Sequence, residues 1–325
     1  MHVKSADGVL EMTYSTLPQL NGGLFLSDGG METTLIYLDG LDLPQFAAFT
    51  LLLDPAGRRR LANYYRPYLE LAAATPSAGF ILETPTWRAS ADWGALLGYD
   101  EPALAQVNRD AASLATELRD EWRFRVEGAI VVSGQIGPRG DGYVTAAPSS
   151  AEESAAYHRP QALALRDGGV DMLSAMTMTS ATEAIGVARA ATAAGLPFSI
   201  SFTVETDGRL PSGESLQAAI EAVDADTPPA YFGLNCAHPS HFEQQLAQGG
   251  AWARRIRCIR ANASPRSHAE LDASTELDIG DPDDLGNRYR NLRTYSPALN
   301  VLGGCCGTDF RHLKAIRDAW VAATC

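Results

Sequence analysis

Three cysteines stand at the ends of apolar runs, and glycines flank two of them. Cys305 and Cys306 lie in the run Gly303-Gly304-Cys305-Cys306-Gly307-Thr308, and Cys236 directly follows Asn235. Adjacent cysteines rarely bridge each other, and the flanking glycines allow both side chains to turn toward one point. Three thiolates can hold a zinc ion and leave a fourth position open, which is typical of catalytic zinc. The pattern therefore predicts zinc bound by Cys236, Cys305 and Cys306.

The ligand type indicates the chemistry of such a site. A free thiol has a pKa of about 8.5, so it is mostly protonated at neutral pH, and coordination to zinc removes that proton. Three thiolates make the site negative, so a further bound thiolate stays nucleophilic and is suited to attack an alkyl group. A zinc hydrolase or lyase would more often use histidine or mixed ligands, and no H-E-x-x-H motif is present. That class and a non-catalytic thiol- or metal-binding barrel remain the alternatives.

Composition limits the cellular role. The chain has 325 residues with 26 Lys and Arg against 39 Asp and Glu, a net charge of −13 that argues against nucleic-acid binding. No stretch approaches the ~20 apolar residues of a membrane helix, and the first residues have no signal-peptide core. We therefore expect a cytoplasmic protein with small-molecule partners. Five cysteines is an odd number, which argues against a disulfide framework; Cys258 is expected to fill core space. The sequence leaves a homo-oligomer open.

Short apolar runs alternate with helical stretches along the whole chain. The runs predict strands at residues 23–27, 79–83, 129–133, 170–174, 198–202, 231–235, 257–261 and 299–302. The main stretches with helical spacing cover residues 59–74, 104–118, 151–165, 181–194 and 310–323. Eight such units predict an α/β fold of the (β/α)₈ TIM-barrel type in a single domain, residues 1–325, with residues 1–20 as an N-terminal extension. A doubly wound open sheet is the alternative, but no G-x-G-x-x-G follows the first run.

In such a barrel the active site lies at the carboxyl ends of the strands. The unusual residues fall there: Asp28 follows strand 1, Glu83 and Trp87 follow strand 2, and the cysteines follow strands 6 and 8. Residues 262–297 form a long insertion after strand 7. We expect this insertion to lie over the mouth of the barrel.

These motifs, in this order, resemble those of the homocysteine S-methyltransferases from about Leu24 to Ala323. The cysteine runs and Asp28-Gly29-Gly30-Met31 carry the resemblance, with support from Glu83-Thr84-Pro85-Thr86-Trp87 and Gly134-Gln135-Ile136-Gly137-Pro138. The resemblance implies that Cys236, Cys305 and Cys306 hold zinc, that homocysteine adds the fourth ligand, and that it receives a methyl group by direct displacement, giving methionine. It also implies that Asp28, Gly29 and Gly30 lie near the homocysteine. Further predicted substrate contacts are Glu83, Trp87, Met176 and Asn235.

One position departs from the family. Usual members carry a glutamate after strand 4 that binds the amino group of homocysteine, whereas this chain has Met176. Either Glu32, Glu83 or Glu205 takes over ammonium recognition, or the acceptor is another thiol.

The methyl donor is expected to be a sulfonium or quaternary ammonium cation, with S-methylmethionine or S-adenosylmethionine favoured. Aromatic ring faces bind such cations. The candidate rings are Trp87, Trp93, Tyr143 and Phe202.

Overall fold

The computed structural model describes residues 17–145 and 149–323, which form one closed barrel of parallel strands. The strands are Phe25–Leu26 (β1), Gly79–Glu83 (β2), Ile130–Ile136 (β3), Met172–Met178 (β4), Phe198–Phe202 (β5), Tyr231–Asn235 (β6), Ile256–Ala261 (β7) and Val301–Gly304 (β8). Each strand pairs with the next, and β1 closes the ring against β8 in the register Phe25 to Val301. The predicted eight-stranded barrel is confirmed, and the open sheet is excluded.

Helices cover the outside of the barrel. They are Met31–Thr33 (α1), Pro55–Ala73 (α2), Ala91–Leu96 (α3), Glu101–Trp122 (α4), Ala151–Asp167 (α5), Ala181–Ala194 (α6), Leu216–Asp226 (α7), Glu243–Gln248 (α8), His268–Asp272 (α9), Pro282–Tyr295 (α10) and Phe310–Ala322 (α11). Local signals fix their ends: the Ser150 hydroxyl caps α5, and Gly195 at φ 74° ends α6 in the left-handed conformation that glycine tolerates. No helix in the described part of the chain is long and apolar enough to span a membrane.

The barrel interior changes character from bottom to top. The lower layer is apolar and consists of Phe25, Ile81, Val131, Met172, Tyr231, Cys258 and Val301. The layer above it is polar and includes Ser27, Glu83, Ser133, Ser174 and Arg260, all buried. Cys258 is core filler, as predicted. The apolar layer supplies stability, and the polar layer supports the catalytic face.

Differences from the predicted strands have physical causes. β3 and β4 run on to Ile136 and Met178, three and four residues past their predicted ends. Their polar residues point into the polar upper layer, so the loss of apolar character does not end the strand. β1 keeps only two paired residues because its chain turns at the Asp28-Gly29-Gly30 loop.

The N-terminal segment and the insertion after β7 pack against the barrel. Leu17 and Gln19 are buried at the bottom of the barrel, where the Gln19 amide donates to Tyr231; the rest of the predicted extension, residues 1–16, lies outside the described residues. The insertion after β7 contains α9 and α10. From α10, the Tyr289 hydroxyl donates to the Gly303 carbonyl at 2.6 Å and ties the insertion to β8.

Candidate active site

Three thiols converge at the carboxyl end of the barrel. The Sγ atoms of Cys236, Cys305 and Cys306 lie within 4.8 Å of one another, and they are the one group able to hold a metal among residues 17–145 and 149–323. Hydrogen bonds from Cys236 and Cys306 hold the pKa of Cys305 well below its usual range, and the same contact raises the pKa of Cys236. Three converging thiols, one of which has a lowered pKa, fit a thiophilic divalent metal such as zinc.

Cys236 is held by a backbone clamp between β4 and β6. It adopts φ 54°, and Thr177 beside it adopts φ 62°, a conformation uncommon for residues with a side chain. Asn235 fixes both, because its Oδ1 accepts the Thr177 N–H at 2.8 Å and its Nδ2 donates to the Thr177 hydroxyl at 2.7 Å. Asn235 Nδ2 and Thr177 Oγ1 also point at the Cys236 sulfur, at 3.4 and 3.6 Å. The uncommon backbone angles of Thr177 and Cys236 therefore fix the direction in which the Cys236 thiol points.

Cys305 and Cys306 are aimed by the loop after β1. The Gly30 N–H donates to the Thr308 carbonyl at 3.0 Å, and a Cβ atom on Gly30 would lie 2.5 Å from the Cys305 carbonyl oxygen. The two loops thus touch through backbone, which explains glycine at this position. Since the Gly30 N–H is used in this contact, it is not available to receive a substrate carboxylate.

Asp28 is half of a buried ion pair. Arg260 Nη2 lies 2.8 Å from Asp28 Oδ1, with both side chains almost fully buried. Arg260 also donates to the Ser27 hydroxyl at 2.6 Å and to the Gly304 carbonyl at 3.2 Å, while Tyr64 donates to Asp28 Oδ2 at 3.1 Å. Nearly every polar atom of the Asp28 and Arg260 side chains has a partner. The pair therefore connects β7 rigidly to the loops after β1 and β8.

A cavity of about 320 Å³ opens above the thiols. The predicted site residues that line it are Asp28, Gly29, Gly30, Trp87, Met176, Asn235, Cys236, Cys305 and Cys306. Glu83 is not among them. It lies one layer deeper, lining a small void inside the barrel of about 10 Å³. A direct contact of Glu83 with substrate is therefore not supported by its position.

The three acidic candidates for ammonium recognition differ in their surroundings. Glu205 pairs with His268 at 2.8 Å, and Glu83 is enclosed below the cavity. Glu32 lines the cavity itself. Burial raises the pKa of Glu32 to about 7, and the nearby charges of Cys305 and Asp28 act in the same direction. Of the three, Glu32 alone faces the space available to a substrate.

The insertion and two other loops meet above Cys236. His268 Nε2 donates to the Cys236 carbonyl at 2.6 Å, and its Nδ1 lies 2.8 Å from Glu205. The His268 ring stacks on Tyr143 at 4.0 Å between ring centroids, and the Tyr143 hydroxyl donates to the Cys306 sulfur at 3.5 Å. The insertion thus lies at the mouth, where residues 271–278 also line the cavity.

Two of the four aromatic candidates are placed where a donor could reach them. Trp87 and Tyr143 line the cavity, and Arg88 lies over one face of the Trp87 ring at 4.4 Å. The Trp93 ring is covered by the Arg88 guanidinium at 3.5 Å, and Phe202 is fully buried and stacked on Phe232. Trp93 and Phe202 are therefore packing residues rather than parts of a cation-binding wall.

Sequence reasoning missed Arg260, Thr177 and His268. Arg260 lies in the least apolar predicted strand, and a charged residue in a buried strand was the available signal, since a buried charge needs a partner. Nothing in the sequence indicates the left-handed backbone of Thr177. His238 and His241 closely follow Cys236 in the sequence, but they bond to Ser240 and to the Pro265 carbonyl, and neither joins the thiol group.

Comparison with known proteins agrees with this geometry. A family model described as homocysteine S-methyltransferase matches residues 25–320. Homocysteine S-methyltransferase 1 of Brassica oleracea var. italica is 23% identical over 323 residues, covering 91% of this chain and 93% of that protein. Homocysteine S-methyltransferase of Escherichia coli (strain K12) is 27% identical, covering 90% of this chain and 94% of that protein.

Solved structures show the same fold. The homocysteine methyltransferase MmuM from Escherichia coli, in its oxidized form, has a TM-score of 0.73 at 21% identity and covers 91% of this chain and 95% of that chain. Its metallated form has a TM-score of 0.70 at 21% identity, covering 91% of this chain and 96% of that chain. From the family match over nearly the whole barrel, this chain belongs to the homocysteine S-methyltransferase family and is a methyltransferase.

Proposed function

We propose that this protein is a zinc-dependent S-methyltransferase that transfers a methyl group from a sulfonium donor to homocysteine, giving methionine. The observation that carries the proposal is the convergence of three thiols at the floor of a cavity large enough for small substrates. Zinc held by Cys236, Cys305 and Cys306 would keep a bound substrate thiol deprotonated at neutral pH. Family membership supports the acceptor. A cytoplasmic location and a homo-oligomer stay predictions.

The chain's own residues support a displacement reaction. Asn235, Thr177 and Tyr143 direct hydrogen-bond donors at the ligand sulfurs and so hold them in one geometry. The thiolate sulfur forms a bond to the methyl carbon while the bond from that carbon to the donor sulfur breaks, and the donor leaves as a neutral thioether. The loops around Tyr143 and His268 narrow the mouth and limit access of water.

The charge of the cavity favours a cationic donor. Its wall carries the acidic residues Asp28, Glu32, Asp141, Asp272, Glu276 and Asp278 against the basic residues Arg88 and Arg260. Arg260 is neutralised by Asp28 and Arg88 pairs with Asp141, so the remaining field is negative. Trp87 and Tyr143 lie in the same wall, and since Arg88 covers one face of Trp87 and His268 stacks on one face of Tyr143, a sulfonium group would contact their other faces. S-Methylmethionine and S-adenosylmethionine both carry this cation.

The test measures metal content and product together. The purified protein is assayed for zinc per chain and then offered homocysteine with S-methylmethionine, S-adenosylmethionine or betaine in separate reactions. We expect about one zinc per chain and methionine formation with a sulfonium donor. Cys306→Ser should lose both, while Cys258→Ser, which removes a thiol from the bottom of the barrel, should keep both. Full zinc content with no methyl transfer to homocysteine from any of the three donors would refute the proposal.

A further inference from the structure

Glu32 is a cavity carboxylate without a side-chain partner. Two other acidic residues of the cavity wall are engaged: Asp28 with Arg260, and Asp141 with Arg88 and the Tyr143 N–H. Among residues 17–145 and 149–323, no side chain lies within hydrogen-bonding or ion-pairing distance of the Glu32 carboxylate. The Glu32 backbone N–H donates to its own carboxylate but supplies no counter-charge. A carboxylate held in a protein wall without a counter-charge is unfavourable unless a ligand supplies one.

The backbone places Glu32 next to the thiol cluster. α1, which carries Glu32, follows directly on the loop that packs on Cys305. The Thr33 hydroxyl accepts the Gly307 N–H at 3.2 Å, which ties α1 to the turn that holds Cys305 and Cys306. Glu32 is therefore fixed relative to the position that a substrate sulfur would occupy.

An amino-acid thiol needs such a group. Homocysteine carries an ammonium two carbon atoms from the carbon that bears its sulfur, so the ammonium must lie in the same cavity when the sulfur is at the cysteines. The β4 wall offers Met176 and Thr177, which carry no charge. Of the remaining acidic residues in the wall, Asp272 and Glu276 are exposed on the insertion. Asp278 is engaged by Arg266 and by the Ser264 hydroxyl. Glu32 is the carboxylate in the wall beside Cys305.

We propose that Glu32 binds the ammonium group of the thiol substrate and so selects an α-amino thiol over a plain thiol. The inference rests on the proposed function, since it concerns the acceptor of that reaction. Glu32 is a specificity-determining residue here and takes no part in bond making. Its loss should therefore change the affinity for the acceptor and leave the maximal rate nearly unchanged.

The experiment compares two thiols that differ only in the amino group. Homocysteine and 4-sulfanylbutanoate are titrated into the zinc-loaded protein by calorimetry, with no methyl donor present. Glu32→Gln should weaken homocysteine binding about 10- to 100-fold, the range for loss of a charge-assisted contact, and should leave 4-sulfanylbutanoate within about twofold. Glu32→Asp should recover part of the affinity. In turnover assays the same loss should appear in KM rather than in kcat.

Controls separate recognition from folding. Asp39→Asn removes a carboxylate from the exposed end of the segment that follows α1 and should leave both affinities unchanged. Zinc content of Glu32→Gln should match the parent protein, and so should its urea unfolding at pH 5, where the raised pKa of Glu32 leaves the folded carboxyl mostly protonated. Equal weakening of both thiols, or no weakening of homocysteine, overturns the role of Glu32 and leaves the proposed function standing. If the zinc-loaded parent protein binds 4-sulfanylbutanoate but not homocysteine, the proposed acceptor fails and the role of Glu32 fails with it.

Discussion

Glu83 should make the barrel less stable as the pH rises. It is buried in the polar upper layer of the barrel beside Ser133 and Ser174, and its Oε2 has no hydrogen-bond partner in the described structure. Burial raises the pKa of Glu83 to about 7, although Arg260 opposes the shift and Asp28 adds to it. Replacing Glu83 with glutamine keeps the size and the hydrogen-bonding capacity and removes the charge.

The magnitude follows from the difference between the folded and unfolded pKa values. The folded state binds the proton more tightly, with a pKa of about 7 against 4.5 in the unfolded chain. The stability that Glu83 contributes is therefore complete below about pH 4.5 and is lost as the pH rises through about 7. At about 1.4 kcal/mol per pH unit, the full loss is about 3 kcal/mol. Glu83→Gln should be about as stable as the parent at pH 5 and up to about 3 kcal/mol more stable at pH 8.

Urea unfolding at pH 5, 6.5 and 8 measures this difference. Parent and variant are compared at each pH with the same metal loading, so the pH dependence of metal binding cancels. Glu117→Gln, which changes an exposed glutamate on α4, is the matched control and should show the same small difference at all three values. A constant difference between Glu83→Gln and the parent, or a variant that is less stable at pH 8, would refute the reasoning.

Three further predictions concern the parts that hold the site. Arg260→Met should cost about 3–5 kcal/mol in urea unfolding because it leaves Asp28 buried without a partner, and a cost under 1 kcal/mol would contradict the buried pair. Asp309→Ala removes the cap of α11 and should cost about 1 kcal/mol in thermal unfolding at pH 7. Hydrogen bonds from His312 and Arg311 outweigh burial and lower the pKa of Asp309, so the difference should persist at pH 5, and its absence at either pH would contradict the cap. Gly30→Ala should lower zinc affinity measured by chelator competition, because its Cβ would meet the Cys305 carbonyl oxygen at 2.5 Å; unchanged affinity would show that this loop does not aim the thiols.

The fold was accessible from the sequence because its signals are local and repeated. β5, β6 and α6 have the bounds expected from apolar runs and helical spacing. β1 was overestimated, since the apolar run before Asp28 continues beyond the two residues that pair. Strand pairing depends on where the chain turns, and the turn at the Asp28 loop is set by its contact with the loop after β8.

Only part of the candidate active site could be predicted from the sequence. Cysteines at the ends of strands 6 and 8, the latter pair flanked by glycine, were sufficient to predict the thiol cluster. The ion pair between Asp28 and Arg260 was not, because the two residues come together only when the barrel closes. The hydrogen bonds from Asn235 to Thr177 depend on the backbone angles of Thr177 and Cys236, which cannot be predicted from the residue types. The predicted role of Glu83 followed its place at a strand end, whereas its side chain points down into the barrel.

The short seam between β1 and β8 has a consequence for folding. Only two register pairs close the ring there, and Asp28 reaches Arg260 only across that seam. Contacts between the two ends of a chain form late, because their loop closure costs the most entropy. We therefore expect the loop that positions Cys305 to be placed late in folding, and a chain that has not closed its ring to lack the geometry for tight metal binding. Tight metal binding would thus indicate that folding is complete. Barrels in which β1 has paired with β8 would retain metal in preference to chains in which this pairing has not formed.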